Sequence, residues 1–255
     1  MPALLRLAPW FLLMASMGCA APPVEGADPG YEVIGRYPHD TRAFTQGLLF
    51  HDGELYESTG LYGHSTVRRV DPVRGDVQAR RQLADELFGE GLALVGDTLI
   101  QLTWREGVAL VYDRQTLEPL ARMAYAGEGW GLAYDGRWLV MSDGSAELRF
   151  VDPDDLAEHR RLTVTDRGRP VTRLNELEVI EGEIWANILG SDRIARIDPL
   201  SGEVNSWLDL RALRKRMGSW WRARDLNGIA YDAQTARIFI TGKNWPEVYV
   251  LRLTE

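Results

Sequence analysis

The sequence predicts an all-β fold, a five-bladed β-propeller closed by an N-terminal strand, and three observations support this prediction. A hairpin of two short apolar strands recurs five times, beginning at Gly47, Gly91, Gly131, Glu176 and Gly228. These starts lie roughly 40 to 52 residues apart, a period typical of propellers and solenoids. A third strand often follows and ends in Asp-Pro, at residues 67–72, 148–153 and 194–199. An antiparallel meander of about four strands per repeat is the blade of a propeller.

The two ends of the chain complement each other in this propeller. Residues 31–36 alternate as a strand before the first complete repeat, whereas the last repeat ends at the strand 248–253, one strand short of a blade. We expect residues 31–36 to supply the outer strand of the last blade, because this closure removes an exposed sheet edge. Residues 31–255 are therefore expected to form a single domain.

Residues 207–226 interrupt the repeat between the fourth and fifth blades. They combine helix-forming and basic residues with the adjacent pair Trp220 and Trp221. A surface loop with a short helix is the interpretation favoured here. The tryptophan pair leaves a lid over a binding site open as the alternative.

The N-terminal segment has the layout of an export signal. A basic residue precedes an apolar run over residues 7–17, which is too short to span a bilayer, and small residues follow it. We assign residues 1–20 as a signal peptide and residues 21–30, rich in Pro, Gly and Ala, as a linker. Cys19 lies in a segment that resembles a bacterial lipoprotein cleavage box, with ordinary signal-peptide cleavage as the alternative. Both routes predict an exported, periplasmic protein, and lipidation of Cys19 would anchor it to the outer membrane.

The composition excludes several classes of function. The 255-residue chain has a formal net charge of −8 and one cysteine, so it lacks both a basic nucleic-acid-binding surface and any intrachain disulfide. Its four histidines lack the spacing of metal ligands. The sequence also shows neither a nucleophile-elbow serine motif nor a histidine-based catalytic triad. The glycine-rich residues 89–91 and 127–131 lack the context of a phosphate loop and are interpreted as turns between blades. We expect a monomer without a catalytic metal.

Two positions of the repeat carry unusual residues. The residue before each innermost strand is Gln46, Glu90, Trp130, Asn175 or Asn227. The residue past the hairpin turn is Gly60, Trp104, Gly144, Leu189 or, after a longer turn, Lys243. Because a two-stranded hairpin returns to the face that it left, both positions lie at the same end of the propeller. The five blades should bring these side chains together at one mouth of the central channel, where substrates commonly bind.

The residues at this mouth have the chemistry of a proton-transfer site. Glu90 would be a lone carboxylate among indoles, and desolvation should raise its pKa towards the range that suits proton transfer near neutrality. Lys243 would act in the opposite direction if it lay close by. Structural roles stay open for single residues: Trp130 as packing between blades, and Glu90 and Asn175 as caps of loop amides.

Motifs along residues 31–251 match one known family. Among them are Ala43-Phe44-Thr45-Gln46-Gly47-Leu48, Phe88-Gly89-Glu90-Gly91-Leu92, Leu102-Thr103-Trp104, Gly129-Trp130-Gly131-Leu132, Leu174-Asn175-Glu176-Leu177-Glu178 and Thr241-Gly242-Lys243. The chain resembles the plant- and bacterial-type glutaminyl-peptide cyclotransferases, also called glutaminyl cyclases. The resemblance implies a five-bladed propeller unrelated to the zinc-dependent animal enzymes. It also implies a catalytic domain at residues 31–255 that converts an N-terminal glutamine of peptides to pyroglutamate and releases ammonia.

The resemblance further implies an active site. Carried over position by position, its residues are Phe44, Gln46, Glu90, Trp104, Trp130, Asn175 and Lys243. The catalytic roles fall to Glu90, Lys243 and Asn175, with Glu90 as the proton shuttle, and substrate binding falls to Phe44, Gln46, Trp104 and Trp130. No cofactor is required, and an ion held in the channel would be structural. Leu189 departs from the family pattern, which has a tryptophan there, so the pocket is expected to be less aromatic and roomier.

Two other functions stay open. A non-catalytic exported propeller would bind peptides at the same mouth without releasing ammonia. A propeller lactonase or lyase would need metal-binding Asp, Glu, Asn or His side chains around the channel, and a chelator would inhibit it.

Overall fold

The structure is a computed structural model that describes residues 30–217 and 223–254. Each blade is a four-stranded antiparallel sheet. Blade 1 consists of β2 (Thr45–His51), β3 (Glu54–Thr59), β4 (Thr66–Val70) and β5 (Val77–Gln82). Blade 2 consists of β6 (Gly89–Val95), β7 (Thr98–Thr103), β8 (Val108–Asp113) and β9 (Pro119–Ala124). Blade 3 consists of β10 (Leu132–Tyr134), β11 (Leu139–Met141), β12 (Glu147–Val151) and β13 (Glu158–Thr163).

The remaining elements complete the ring. A two-stranded ribbon, β14 (Thr165–Asp166) with β15 (Arg169–Pro170), follows blade 3. Blade 4 consists of β16 (Leu174–Ile180), β17 (Glu183–Ile188), β18 (Arg193–Ile197) and β19 (Val204–Asp209). Helix α1 (Arg211–Arg216) precedes blade 5, which consists of β20 (Leu226–Asp232), β21 (Arg237–Gly242), β22 (Glu247–Leu253) and β1 (Tyr31–Pro38). The predicted all-β, five-bladed propeller is confirmed.

The N-terminal strand closes the ring as predicted. β1 pairs antiparallel with β22, from Tyr31 opposite Leu253 to Pro38 opposite Glu247, and so forms the outer strand of blade 5. The strand is two residues longer than the predicted segment 31–36. Pairing the chain ends covers a sheet edge that would otherwise present unpaired backbone groups.

The apolar core lies between neighbouring blades. The second strand of each hairpin is almost entirely buried, as in β3 and β7, whereas the outer strands β5 and β9 are largely exposed. The interface of blades 2 and 3 is representative, because Ile100, Leu102, Leu132, Leu139 and Met141 pack there in one cluster. This burial fixes the positions of the inner hairpins, whose ends carry the functional residues.

The segment 207–226 differs in part from the prediction of a continuous insert. Residues 207–209 complete the outer strand β19, and residue 226 begins β20, because both ends continue regular blade pairing. The expected short helix is present as α1, and its Leu213 packs against the core of blades 4 and 5. Trp220 and Trp221 lie outside the described residues, as do the signal segment 1–20 and residues 21–29 of the linker. No helix within 30–217 and 223–254 is long and apolar enough to cross a membrane.

A buried ion network joins blade 1 to the closing blade 5. His39, directly after β1, donates from Nδ1 to the Trp245 carbonyl (2.8 Å) and from Nε2 to Glu57 Oε1 (3.0 Å). Burial by itself would lower the His39 pKa, but the Glu57 charge and the two hydrogen bonds outweigh it and raise that pKa above 6.5. Burial also opposes ionisation of Glu57, yet Arg68 and His39 lower the pKa of Glu57 to about 2. The network is therefore an imidazolium–carboxylate pair at the seam of the ring.

Replacing His39 by Gln is expected to lower the free energy of unfolding by about 3–5 kcal/mol at pH 6, because Glu57 stays buried without this partner. The folded-state pKa of His39 is raised, so its charge contributes fully below pH 6.5 and is lost as the pH rises through that raised pKa. Urea unfolding at several pH values should show the difference between wild type and variant shrinking towards alkaline pH. His51→Gln, which breaks an exposed pair with Asp52, is the matched control. A difference that is constant with pH would contradict the charged pair.

Candidate active site

The inner strands pair irregularly at one end, where residues of the predicted site lie. The register of four inner hairpins shifts between Thr45 and Gly47, Gly89 and Leu92, Leu174 and Leu177, and Leu226 and Ile229. The residues at these shifts include Gln46, Glu90, Asn175 and Asn227. A β-bulge re-aims a side chain locally, and bulges are frequent beside active sites. Residues 89–91 were expected to be a turn, but they begin β6 in this bulged form.

Serines of neighbouring blades hold two of these irregular segments. The Ser58 hydroxyl in blade 1 donates to the Glu90 carbonyl in blade 2. The Ser142 hydroxyl donates to the Asn175 carbonyl at 2.7 Å, from blade 3 to blade 4. These bonds satisfy carbonyl groups that the bulges leave without a ladder partner, so they fix the backbone of both predicted catalytic positions.

The mouth of the channel is a cavity of about 300 Å³. Its lining is Phe44, Gln46, Leu61, Phe88, Glu90, Trp104, Trp130, Asn175, Leu189 and Lys243. The structure thus brings all seven predicted site residues to one pocket and adds three apolar ones. Most of the surface is apolar, and the polar groups are few and convergent, as in sites that fold a small ligand group away from water.

Two glycines past the hairpin turn make room for aromatic walls. A side chain at Gly60 would collide with the Phe88 ring. A Cβ at Gly144 would lie 2.7 Å from Trp130 Cη2, and Gly144 has φ +81°, which disfavours any other residue. The small residues of this column therefore shape the pocket through the rings that they admit.

Glu90 is buried and is held by a chain of two amides. Gln46 donates from Nε2 to Glu90 Oε1 at 2.8 Å. Asn227 donates from Nδ2 to Gln46 Oε1 at 3.0 Å and also to the Thr45 carbonyl at 3.0 Å. Gln46 was predicted to bind substrate, and that role stays a prediction, since the residue lines the pocket. Its amide donates to the Glu90 carboxylate and so also orients Glu90. Asn227 lies at the predicted end of the propeller but one layer behind the pocket.

The pKa values of Glu90 and Lys243 move towards each other. Desolvation raises the pKa of Glu90 well above its ordinary value, and the charges of Glu106 and Glu128 act in the same direction, whereas Lys243 opposes them. Desolvation lowers the pKa of Lys243, against the attraction of Glu90 and Asp225. The Lys243 ammonium lies 5.0 Å from the centroid of the Phe44 ring. Oppositely shifted groups in one cleft are typical of acid–base sites.

Aromatic rings make up much of the pocket wall. Phe88 connects Phe44 (centroids 6.3 Å apart), Trp104 (5.5 Å) and Tyr62 (5.4 Å). The indole N–H groups of Trp104 and Trp130 both donate to Glu128. Leu189 also lines the pocket.

The Asn175 side chain is one of the polar groups that line the pocket. Within the described chain, the hydrogen bond of Asn175 to another side chain is made by its backbone carbonyl, so its carboxamide is available to a ligand. Sequence reasoning missed Phe88, although it lies two residues before Glu90 as Phe44 lies two before Gln46. That shared offset in blades 1 and 2 was the available signal.

The buried carboxylate of Glu176 connects the inner strand of blade 4 to those of blades 1 and 5. It accepts from the Leu48 amide (3.3 Å) and the Ile229 amide (2.9 Å), on two other inner strands. Desolvation raises its pKa well above the ordinary value. Among residues 30–217 and 223–254, no group of three or more His, Cys, Asp or Glu side chains converges as a metal site would require.

Comparison with known proteins decides the family. A family model described as glutamine cyclotransferase matches residues 10–253. The chain belongs to the glutamine cyclotransferase family. A curated glutaminyl-peptide cyclotransferase from Arabidopsis thaliana is 43% identical over 228 residues, which cover 88% of this chain and 71% of that protein. The crystal structure of Myxococcus xanthus glutaminyl cyclase superposes with a TM-score of 0.82 at 39% identity, covering 88% of this chain and 98% of that one.

Family membership confirms the resemblance stated from the sequence motifs, together with the enzyme class that it implied. It favours a cyclotransferase over the alternative of a non-catalytic peptide-binding propeller. Family membership does not assign roles to individual pocket residues, so these roles are inferred from the geometry of the pocket.

Proposed function

We propose that this cyclotransferase converts an N-terminal glutamine of peptides to pyroglutamate and releases ammonia, with Glu90 as the proton shuttle. The observation that carries the proposal is a buried carboxyl with a raised pKa, in a mostly apolar cavity of about 300 Å³ that a lysine with a lowered pKa also lines. A carboxylate in this environment is basic enough to accept a proton from an α-amino group, whose ordinary pKa is about 8.

The proposed reaction is an intramolecular substitution. The lone pair of the substrate α-amino nitrogen attacks the side-chain carboxamide carbon, and a C–N bond forms while the carbonyl π electrons move to oxygen. Glu90 accepts the proton that the attacking nitrogen loses. When the carbonyl re-forms, the bond to the amide nitrogen breaks, and Glu90 returns its proton to that nitrogen, which leaves as ammonia. Atoms and protons balance, and Glu90 is regenerated.

The other polar residues of the pocket stabilise the developing negative charge or orient Glu90. Lys243 and the side-chain carboxamide of Asn175 donate to the carboxamide oxygen as negative charge grows on it. Gln46 keeps Glu90 in one orientation through its 2.8 Å bond. In this scheme Gln46 supports the base in addition to the substrate contact predicted from the sequence.

The apolar walls favour the folded shape of the substrate. Ring closure requires the glutamine side chain to bend back on the α-amino group, and a pocket that excludes water lowers the entropic cost of this geometry. Phe44, Trp104 and Trp130 line the pocket, while Leu189 makes its lining less aromatic than a tryptophan there would. We propose that Leu189 weakens substrate affinity without changing the reaction.

The scheme uses side chains alone, so we propose that it needs no cofactor and that an ion in the channel would have a structural role. Ammonia release from a Gln-initiated dipeptide is therefore expected to continue undiminished in excess chelator, with one pyroglutamyl product formed per ammonia. The matched control is the same dipeptide with an acetylated N-terminus, which lacks the nucleophile. Saturable binding without ammonia would favour a peptide-binding module, and inhibition by chelator would favour metal-dependent chemistry.

We further propose that the protein is exported to the periplasm. The support is the signal-like segment 1–20 and the position of Cys19, both of which lie outside the described residues. Lipidation of Cys19 would anchor the protein to the outer membrane. Membrane fractionation of cells that produce wild type and Cys19→Ala tests this, and an equal soluble fraction for both would contradict the anchor.

A further inference from the structure

Glu128 lies outside the pocket lining and contacts both of its tryptophans. Its Oε2 accepts the indole N–H of Trp104 at 2.9 Å and that of Trp130 at 3.0 Å. Trp104 belongs to blade 2 and Trp130 to the start of blade 3, so one carboxylate oxygen connects the aromatic walls of two blades. An acceptor shared between two indole donors restricts the rotation of both rings.

The loop that carries Glu128 is itself fixed. Residues 125–131 cross from β9 to β10, and the Arg149 guanidinium donates to the carbonyls of Ala126 and Glu128, each at 2.7 Å. The Gly129 amide donates to the Trp104 carbonyl at 3.0 Å. Arg149 is buried. The carboxylate therefore cannot drift away from the indoles without breaking these backbone contacts.

Arg105 holds the second oxygen of the carboxylate. Its Nε donates to Glu128 Oε1 at 3.1 Å, and its guanidinium carbon lies 3.8 Å from the centroid of the Trp104 ring. Trp104 is thus held at its N–H by Glu128 and on its face by the cation that pairs with Glu128. Hydrogen bonds from Trp130, Trp104 and Arg105 lower the pKa of Glu128 against partial desolvation, so the group is ionised.

We propose that Glu128 is a positioning residue, which sets the two indoles at the separation needed to fold the glutamine side chain and adds negative charge beside Glu90. The inference rests on the proposed function of the same pocket. It names a side chain in a loop that the sequence presented only as a glycine-rich turn.

The Glu128 charge is one of several effects on the pKa of Glu90. The charged groups that face Glu90 are Lys243, which lowers its pKa, and Glu106 and Glu128, which raise it, all against a larger effect of desolvation. The phenols of Tyr62 and Tyr125 also sense the Glu90 charge. Removing the Glu128 charge lowers the Glu90 pKa, so the acid limb of kcat/KM should move to lower pH.

Two substitutions separate position from charge. Glu128→Gln keeps an oxygen that can accept both indole N–H groups but removes the charge; Glu128→Ala removes both. We expect Glu128→Ala to raise KM for a Gln-initiated dipeptide about tenfold or more, because two charge-assisted bonds are lost. Glu128→Gln should restore most of the wild-type KM while shifting the acid limb to lower pH. Glu106→Gln, which alters a carboxylate bound by Tyr62 instead of the tryptophans, should shift the limb without raising KM.

A spectroscopic measurement tests the effect of Glu128 on the indole positions independently of turnover. The near-ultraviolet circular dichroism of the aromatic side chains should change in Glu128→Ala and stay close to wild type in Glu128→Gln, while thermal unfolding reports that both variants fold. Unchanged KM, spectrum and acid limb in Glu128→Ala would overturn the positioning role even if the enzyme is active. An inactive wild type would instead overturn the proposed function, and the spectral comparison would still decide the role of Glu128.

Discussion

Glu90→Gln is expected to lower kcat by roughly 10²–10⁴-fold, the usual contribution of a positioned general acid–base group. The substitution keeps the size of the side chain and an oxygen that can accept from Gln46 Nε2, so the pocket should retain its shape. The lost function is proton transfer alone, because the carboxamide cannot accept a proton from the α-amino group near neutral pH. Steady-state ammonia release at saturating substrate measures the effect, and KM should change little.

The stability of this variant is an informative control. Glu90 is buried with a raised pKa, so desolvation makes its charged form costly in the folded state. Glu90→Gln should therefore unfold at the same temperature as wild type or slightly higher. Glu106→Gln removes a carboxylate outside the pocket lining and should keep near-normal kcat. Normal turnover in Glu90→Gln would remove Glu90 from the proton path.

The sequence predicted the fold because the relevant signals are local. Strand alternation and hairpin turns recur at similar spacings in the five repeats, and Asp-Pro ends recur in three of them. Asp71, Asp152 and Asp198 form turns, in which each carboxylate accepts the amide hydrogen bond of the residue two positions later. Convergence of the site could be predicted as well, since a hairpin returns to its starting face and five blades share one axis. This geometry placed residues as distant in sequence as Gln46 and Lys243 in one pocket.

The details that sequence could not supply depend on contacts between blades. A bulge at Glu90 leaves no separate mark in the sequence, and the chain of Asn227, Gln46 and Glu90 joins the closing blade to blades 1 and 2. The loop around Glu128 is directed by Arg149, about 20 residues later in blade 3. The roles of such residues can be assigned only when the distances between side chains of different repeats are known.

Lys243→Met is expected to cost about 2–4 kcal/mol of transition-state stabilisation, seen as a fall in kcat, if Lys243 donates to the growing oxyanion. Methionine keeps most of the apolar stem, so packing against Phe44 should persist while the donor is lost. Single-turnover kinetics with a Gln-initiated dipeptide separate the chemical step from binding. Arg224→Met is the matched control, because its guanidinium lies 6.0 Å from the centroid of the same Phe44 ring but outside the pocket lining.

The acid limb of kcat/KM should shift in Lys243→Met in the direction opposite to its shift in Glu128→Gln. The Lys243 charge lowers the Glu90 pKa, so its removal leaves desolvation less opposed and raises that pKa further. A base with a higher pKa is ionised only at higher pH, and the acid limb of kcat/KM should move upward. A fall confined to 1/KM, with kcat and the acid limb unchanged, would make Lys243 a docking residue. Opposite shifts of the acid limb in Lys243→Met and Glu128→Gln would identify Glu90 as the group whose ionisation both charges control.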